Sequence, residues 1–344
     1  MAPLITHVYT ADPSAHAFEG KLYIYPSHDV ESGIPSNDNG DQYDMKDYHV
    51  FSIDTLSGVT TTSDDAKEPP KVTDHGAVLR TQDIPWVSKQ LWAPDCAYNA
   101  STKEYILYFP ARDKSADNRF RIGVAAGPTP TGPFTPDPEP IAGSFSIDPA
   151  CFVDDDASKT AYLYFGGLWG GQLQCYQGAE DGSRFDGSQQ GPQEPNSDSL
   201  PALHPKVGVL DGSMRQFASP PRDLVLLAPE TGEPIVSTDH ARRFFEAAWM
   251  HKYNGTYYFS YSTGDTHFLA YATSDSPLGP FTYRGKILDP VLGWTTHHSV
   301  VEFEGRWWLF YHDCELSGGK NHLRNVKCRE IFYDKEGNIV LEKP

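Results

Sequence analysis

Five segments of this chain each carry a polar residue near their start and then turn hydrophobic: TADPSAHAF with Asp12, WAPDCAYN with Asp95, IDPACFVD with Asp148, FFEAAWMHKY with Glu246, and HHSVVEF with His297 and His298. If the segments are equivalent in the fold, three or four carboxylates and a histidine face one cavity. Crowded carboxylates raise each other's pKa, so gathering them calls for a use. Two uses are open: a pair of carboxyl groups for acid/base chemistry, or an oxygen cage for a hard cation. Trp92, Trp249 and Trp294 lie in or near these segments and offer flat faces on which a sugar ring can stack.

The elements that must position these residues are also repeated. Short aromatic stretches ending in polar residues follow each polar opening: KLYIYPSHD, EYILYFPARD, AYLYFGGLW, TYYFSYSTGD and RWWLFYHDCE. Four of them follow a turn-rich tetrapeptide (FEGK, NAST, YNGT, FEGR) and the third follows DDDASKT, so each reads as the second arm of a hairpin. Gly127–Phe134 (GPTPTGPF) resembles Ser274–Phe281 (SDSPLGPF), and both read as turns between outer strands. Five such units predict an all-β, five-bladed β-propeller, a single domain over residues 1–344. A β-sandwich or a pair of barrels would not place polar residues alike in all five units, whereas a propeller converges its innermost strands on one channel. Residues Gly178 to Pro201, rich in Gly, Ser, Gln, Asp and Pro, read as a long loop.

Composition narrows the function classes. The 19 Tyr, 18 Phe and 7 Trp beside 29 Gly and 28 Pro suit strands and turns. With 46 acidic against 28 basic residues, the formal charge of −18 argues against nucleic acid or an anionic membrane as partner. No apolar run approaches a membrane span. The start, MAPLITHVYTADP, shows no signal peptide, and the expected location is the cytoplasm unless a leader was removed. Five scattered cysteines without a C-x-x-C pair read as mostly buried thiols, with room for one bridge.

TADPS, IDPACF and FFEAAW, in that order, resemble the three signatures of glycoside hydrolase family 43. KLYIYPSHD, LWAPDCAY, YYFSYSTGD, SPLGPFTYRG, HHSVVEFEGRWWLFYHD and HLRNVKCREIFYDKEGNI follow in family order, so the similarity spans roughly Thr10 to Ile339. The resemblance implies a five-bladed propeller acting with inversion on arabinose- and xylose-containing polysaccharides. It implies Asp12 as general base, Glu246 as general acid, and Asp148 as the aspartate that orients the acid and raises its pKa by standing ionised beside it. Asp95 matches no catalytic position of the family and is expected to be structural.

The resemblance also implies a channel histidine at His297 that meets a bound cation, often calcium, largely through water. No cofactor is expected for the chemistry, and a structural Ca2+ in the central channel is the expected cation. Arg324 in HLRNVK resembles a family arginine that reaches the sugar. Trp92 is expected to stack on the sugar, and His28 and Asp29 to border the pocket. The expected activity is an exo-acting β-D-xylosidase on xylo- and arabino-oligosaccharides, with α-L-arabinofuranosidase as a second activity. The alternatives are mainly an arabinofuranosidase or endo-arabinanase, and, in a different class, a non-catalytic carbohydrate-binding propeller. Subunit count is not legible.

Overall fold

In the computed structural model, which describes residues 2–59, 69–176, 183–264, 266–294 and 296–344, the chain forms five mainly antiparallel sheets arranged as the blades of a propeller. Among the described residues there is no α-helix, only short 3-10 turns. The innermost strands are Tyr9–Phe18, Asp95–Asn99, Ala150–Val153, Glu246–Tyr253 and His298–Phe303, each packed against the next around the axis. These are the first arms expected from the sequence, and the aromatic second arms pair with them.

Local chemistry explains the hairpins. The turns Glu19-Gly20, Asn254-Gly255 and Glu304-Gly305 are two-residue loops with positive φ at both positions. That geometry matches the right-handed twist of the flanking strands, and glycine at the second position accepts it without strain. The two GPF repeats link third and fourth strands in their blades, and each buries its phenylalanine, Phe134 or Phe281.

Some architecture was not foreseen. The fourth blade gains an outer strand, Leu226–Leu227, parallel to Phe281–Leu288, and Val87–Lys89 pairs with the end of Glu104–Asp113 in the second. The aromatic stretch TYYFSYSTGD forms strand only over Thr256–Ser262, and its closing Asp265 lies outside the described residues. So do residues 178–182 of the expected long loop.

The ring closes between the first and fifth blades. Leu22, Ile24, Phe51 and Ile53 pack on Phe303, Trp308, Phe310 and Val326, all buried. Each such side chain contributes about 1.5–3 kcal/mol of burial. Backbone bonds from Leu4 to Val326 and from Thr10 to Arg324 add to the seam. Asp95 pins the other side of the axis. It accepts from Ser14, His16 and the Cys96 N–H through one oxygen and from the Cys151 N–H through the other, tying three inner strands together. All five cysteines are free and buried.

Candidate active site

The innermost strands do not run straight into the axis. The pairing of Tyr9–Phe18 slips between Ala11 and Ser14, and that of Glu246–Tyr253 between Glu246 and Trp249. At the slips Asp12 has φ 50° and Ala247 φ 63°, while Asp148, just before its own strand, has φ 57°. Such bulges re-aim side chains at strand ends, and non-glycine residues there cost on the order of 1–3 kcal/mol each. Here they accompany Asp12, Asp148 and Glu246 as these line a common cavity of about 240 Å³, together with Trp92, His297 and Arg324.

The two aspartates are held differently. Asp12 accepts from Ser27 Oγ at 2.6 Å and from Arg324 Nη1 at 3.0 Å, and its own N–H donates to His312 Nδ1 at 3.0 Å. Burial alone would raise the Asp12 carboxyl. The Arg324 guanidinium, the His312 and His297 rings and the Ser27 bond outweigh burial and hold it below the usual aspartate range. Asp148 moves the other way. Burial and the negative charges of Glu246 and Asp12 push it well above the usual range, against the Ala247 N–H that donates to it at 2.8 Å. Asp148 and Glu246 therefore behave as a pair that retains a proton where Asp12 is ionised.

His297 Nδ1 stands 3.8 Å from both Asp12 Oδ1 and Asp148 Oδ2. Burial lowers its pKa to about 4, even against the charge of Asp12, so the ring is neutral at neutral pH. His298 is fully buried, with Nε2 2.6 Å from Ser260 Oγ. The donors at His297 do not make a calcium cage. Calcium takes six to eight oxygens, the nearby Asp95 is occupied by four donors, and among the described residues no group of three ligand atoms forms at His297.

Arg324, buried in the cavity wall, is itself gripped by Asp29, whose two oxygens accept from Nε and Nη2 at 2.8 Å each. Tyr43 lies under the guanidinium, 4.9 Å from ring centre to carbon. Trp92 lines the cavity, held by Nε1 donation to the Tyr43 carbonyl at 2.7 Å and by contact with Phe120.

Two expected pocket residues are elsewhere. Neighbours on a strand point to opposite sides, so while Asp29 turns to Arg324, His28 turns away to Asp47 at 2.6 Å. Neither lines the cavity. Asp29 acts one layer behind, through Arg324. Trp249 is also withdrawn, buried with Nε1 on the Val300 carbonyl.

Other contributors were missed by sequence reasoning. The segment Ser36–Tyr43 forms one wall, braced by Arg112 on the Asn39 carbonyl and Gln90 on the Gly40 carbonyl. Trp169 stands 5.6 Å from Trp294, an aromatic the sequence had offered, on another wall, and Glu194 from the long loop accepts from Trp169 Nε1 and from Arg243. The polar ends of the aromatic strands were the available signal: Ser27, Asp29, Arg112 and His312 all occupy them and all support the site.

Comparison with known proteins places this arrangement in context. The sequence profile of the glycosyl hydrolases family 43 matches residues 8–191 and 223–339. The chain is 67% identical to a xylosidase/arabinosidase 43A of Humicola insolens, covering 100% of both chains. It is 49% identical to a β-xylosidase of Xylanibacter ruminicola, over 97% of each. Among solved structures, a GH43 β-xylosidase/α-arabinofuranosidase from a compost microbial metagenome, in complex with xylotriose and in calcium-free form, superposes with a TM-score of 0.91 at 53% identity, covering 99% of this chain and 97% of that one. A GH43_1 enzyme from Xanthomonas citri complexed with xylotriose gives a TM-score of 0.86 at 49% identity, over 98% and 92%.

Proposed function

The chain belongs to family 43 of the glycosyl hydrolases, and from that premise we propose that it is an exo-acting β-D-xylosidase that also hydrolyses α-L-arabinofuranosides, by single displacement with inversion. The observation that carries the reading is one cavity holding an ionised carboxylate, Asp12, and a carboxyl pair, Asp148 and Glu246, that keeps a proton. Hydrolysis with inversion needs both states at once. A base draws a proton from water as it attacks the anomeric carbon, while an acid protonates the departing oxygen.

In this reading Asp12 is the base, because Arg324, His312 and Ser27 keep it ionised. Glu246 is the acid: it is the less buried of the pair, so it can meet the leaving group and give it the proton the pair retains, while Asp148 is anchored by the Ala247 N–H. Arg324 orients Asp12 and presents donors to sugar hydroxyls. Trp92, Trp169 and Trp294 wall the cavity and suit the flat faces of a pentose. The enclosing segment Ser36–Tyr43 supports action on chain ends. No cofactor enters the chemistry. A hydrated cation in the channel would meet the protein at the single nitrogen of His297, and no step is assigned to it. The xylotriose bound by the calcium-free compost relative supports xylo-oligosaccharides as substrates. The names of the Humicola insolens and compost relatives support the second activity on arabinofuranosides.

The test is proton NMR of xylobiose hydrolysis, following the sugar freed from the non-reducing end. Early α-xylose is the expected result. Early β-xylose means retention and overturns single displacement. Inertness toward xylobiose with turnover of arabinofuranosides overturns the xylosidase assignment. Silence on both favours a carbohydrate-binding propeller.

A further inference from the structure

On the first blade, three residues that the glycosidase chemistry does not use converge. His28 is the last residue but one of its strand, Lys21–Asp29, and Asp47 and His49 lie two apart on the next, so all three share a face. One ligand atom from each lies within 4.8 Å of the others. The His28 and His49 rings stand 4.7 Å apart between centres, and His28 Nδ1 is 2.6 Å from Asp47 Oδ1. Each side chain is only about one-fifth exposed: 19% for His28, 23% for Asp47 and 16% for His49. The cluster is thus partly enclosed yet open to an ion and to water.

A second layer orients it. Asp74 accepts from His49 Nδ1 at 3.1 Å, which leaves Nε2 as the free donor atom of that ring. Asp74 is itself fixed by the Gly76 N–H at 2.7 Å and by His7 Nε2 at 2.8 Å. A carboxylate behind a ligating imidazole is the arrangement that sets ring orientation and tautomer in metal sites.

We propose that His28, Asp47 and His49 bind a borderline divalent cation of the zinc class, with water completing the coordination. Two imidazoles and one carboxylate suit Zn2+, Ni2+ or Co2+ rather than Ca2+ or Mg2+, which favour all-oxygen shells. Donors held about 2.0–2.2 Å from zinc stand about 3.3–3.5 Å from one another, so small side-chain rotations close the present spacing. The site is separate from the cavity, and its existence does not depend on the glycosidase reading. It borders the site through the chain, because His28 precedes Asp29, the residue that grips Arg324.

Isothermal titration of the chelator-treated, full-length protein with ZnCl2, and in parallel with CaCl2, tests the proposal. One zinc is expected to bind here in the presence of excess calcium. His28→Gln and His49→Gln should each weaken that event by 10-fold or more, while His297→Gln leaves it in place. Anomalous diffraction at the zinc edge from soaked wild-type crystals supplies a readout that needs no variant. Zinc density between His28 and His49 is the expected result. Zinc found elsewhere only, or zinc binding unchanged in both His28→Gln and His49→Gln, overturns the site.

Discussion

Arg324 joins two aspartates of the first blade to the fifth: it grips Asp29 with Nε and Nη2 at 2.8 Å each and gives Nη1 to Asp12 at 3.0 Å. One guanidinium thereby neutralises a buried structural carboxylate and keeps the candidate base ionised.

Arg324→Ala removes the charge that pulls Asp12 down, so the Asp12 pKa rises and less of it is ionised in mild acid. The acidic limb of kcat/KM against pH is expected to move to higher pH. The variant also leaves Asp29 buried without its ion partner, at a cost of about 3–5 kcal/mol. A pH–rate profile and a thermal melt measure the two effects separately. An unmoved acidic limb in a folded variant counts against Asp12 as the group that sets it.

Asp12→Asn is expected to lower kcat by about 10²–10⁴-fold or more on every substrate, because water activation has no alternative base. Glu246→Gln is expected to discriminate. Aryl xylosides with good leaving groups need little protonation and lose little, while xylobiose loses far more. Steady-state kinetics on the two substrate types checks both variants, and equal losses for Glu246→Gln would remove it from the acid role.

Asp148→Asn follows from a raised rather than depressed carboxyl. Because folding raises the Asp148 pKa above its ordinary 3.8, the folded state holds the proton more tightly than the unfolded chain does. Its stabilising effect is therefore present in acid and is lost as pH climbs through the folded value. At pH 7 the asparagine variant should melt at or above the wild-type temperature, with the gain fading toward about pH 4. Its activity should fall, and the basic limb should shift to lower pH, since the pair has lost a charge that helped retain its proton. A variant less stable at pH 7 than at pH 4, relative to wild type, contradicts this.

Gly40→Ala addresses the cavity wall. Gly40 has φ 70°, and a Cβ there would sit 2.6 Å from Trp92 Cη2. The substitution strains the backbone by about 1 kcal/mol and displaces the indole. A rise in KM of about 10-fold with kcat little changed is expected, equivalent to about 1.4 kcal/mol of binding. An unchanged KM would mean Trp92 contributes no substrate contact.

The sequence alone was enough for the five-bladed plan. Its hairpins are local: the FEGK, YNGT and FEGR turns dictate register between adjacent arms, and strand alternation does the rest. It also set Asp12, Asp95, Asp148, Glu246 and His297 at like places in the five units, and the resemblance to family 43 singled out Asp12, Asp148 and Glu246 among them. Only the tertiary structure decided what depends on facing and on distance across blades. Asp29 and His28 are consecutive, yet one reaches Arg324 and the other turns to Asp47. Trp92 and Trp249 both lie among the inner arms, yet one lines the cavity and the other packs between blades. The upward push on the Asp148 carboxyl was equally hidden, since it arises from burial and from Glu246, 98 residues away in the chain. Side-chain alternation is written locally, but which face looks inward, and which charges then share a low-dielectric space, is set by closure of the ring.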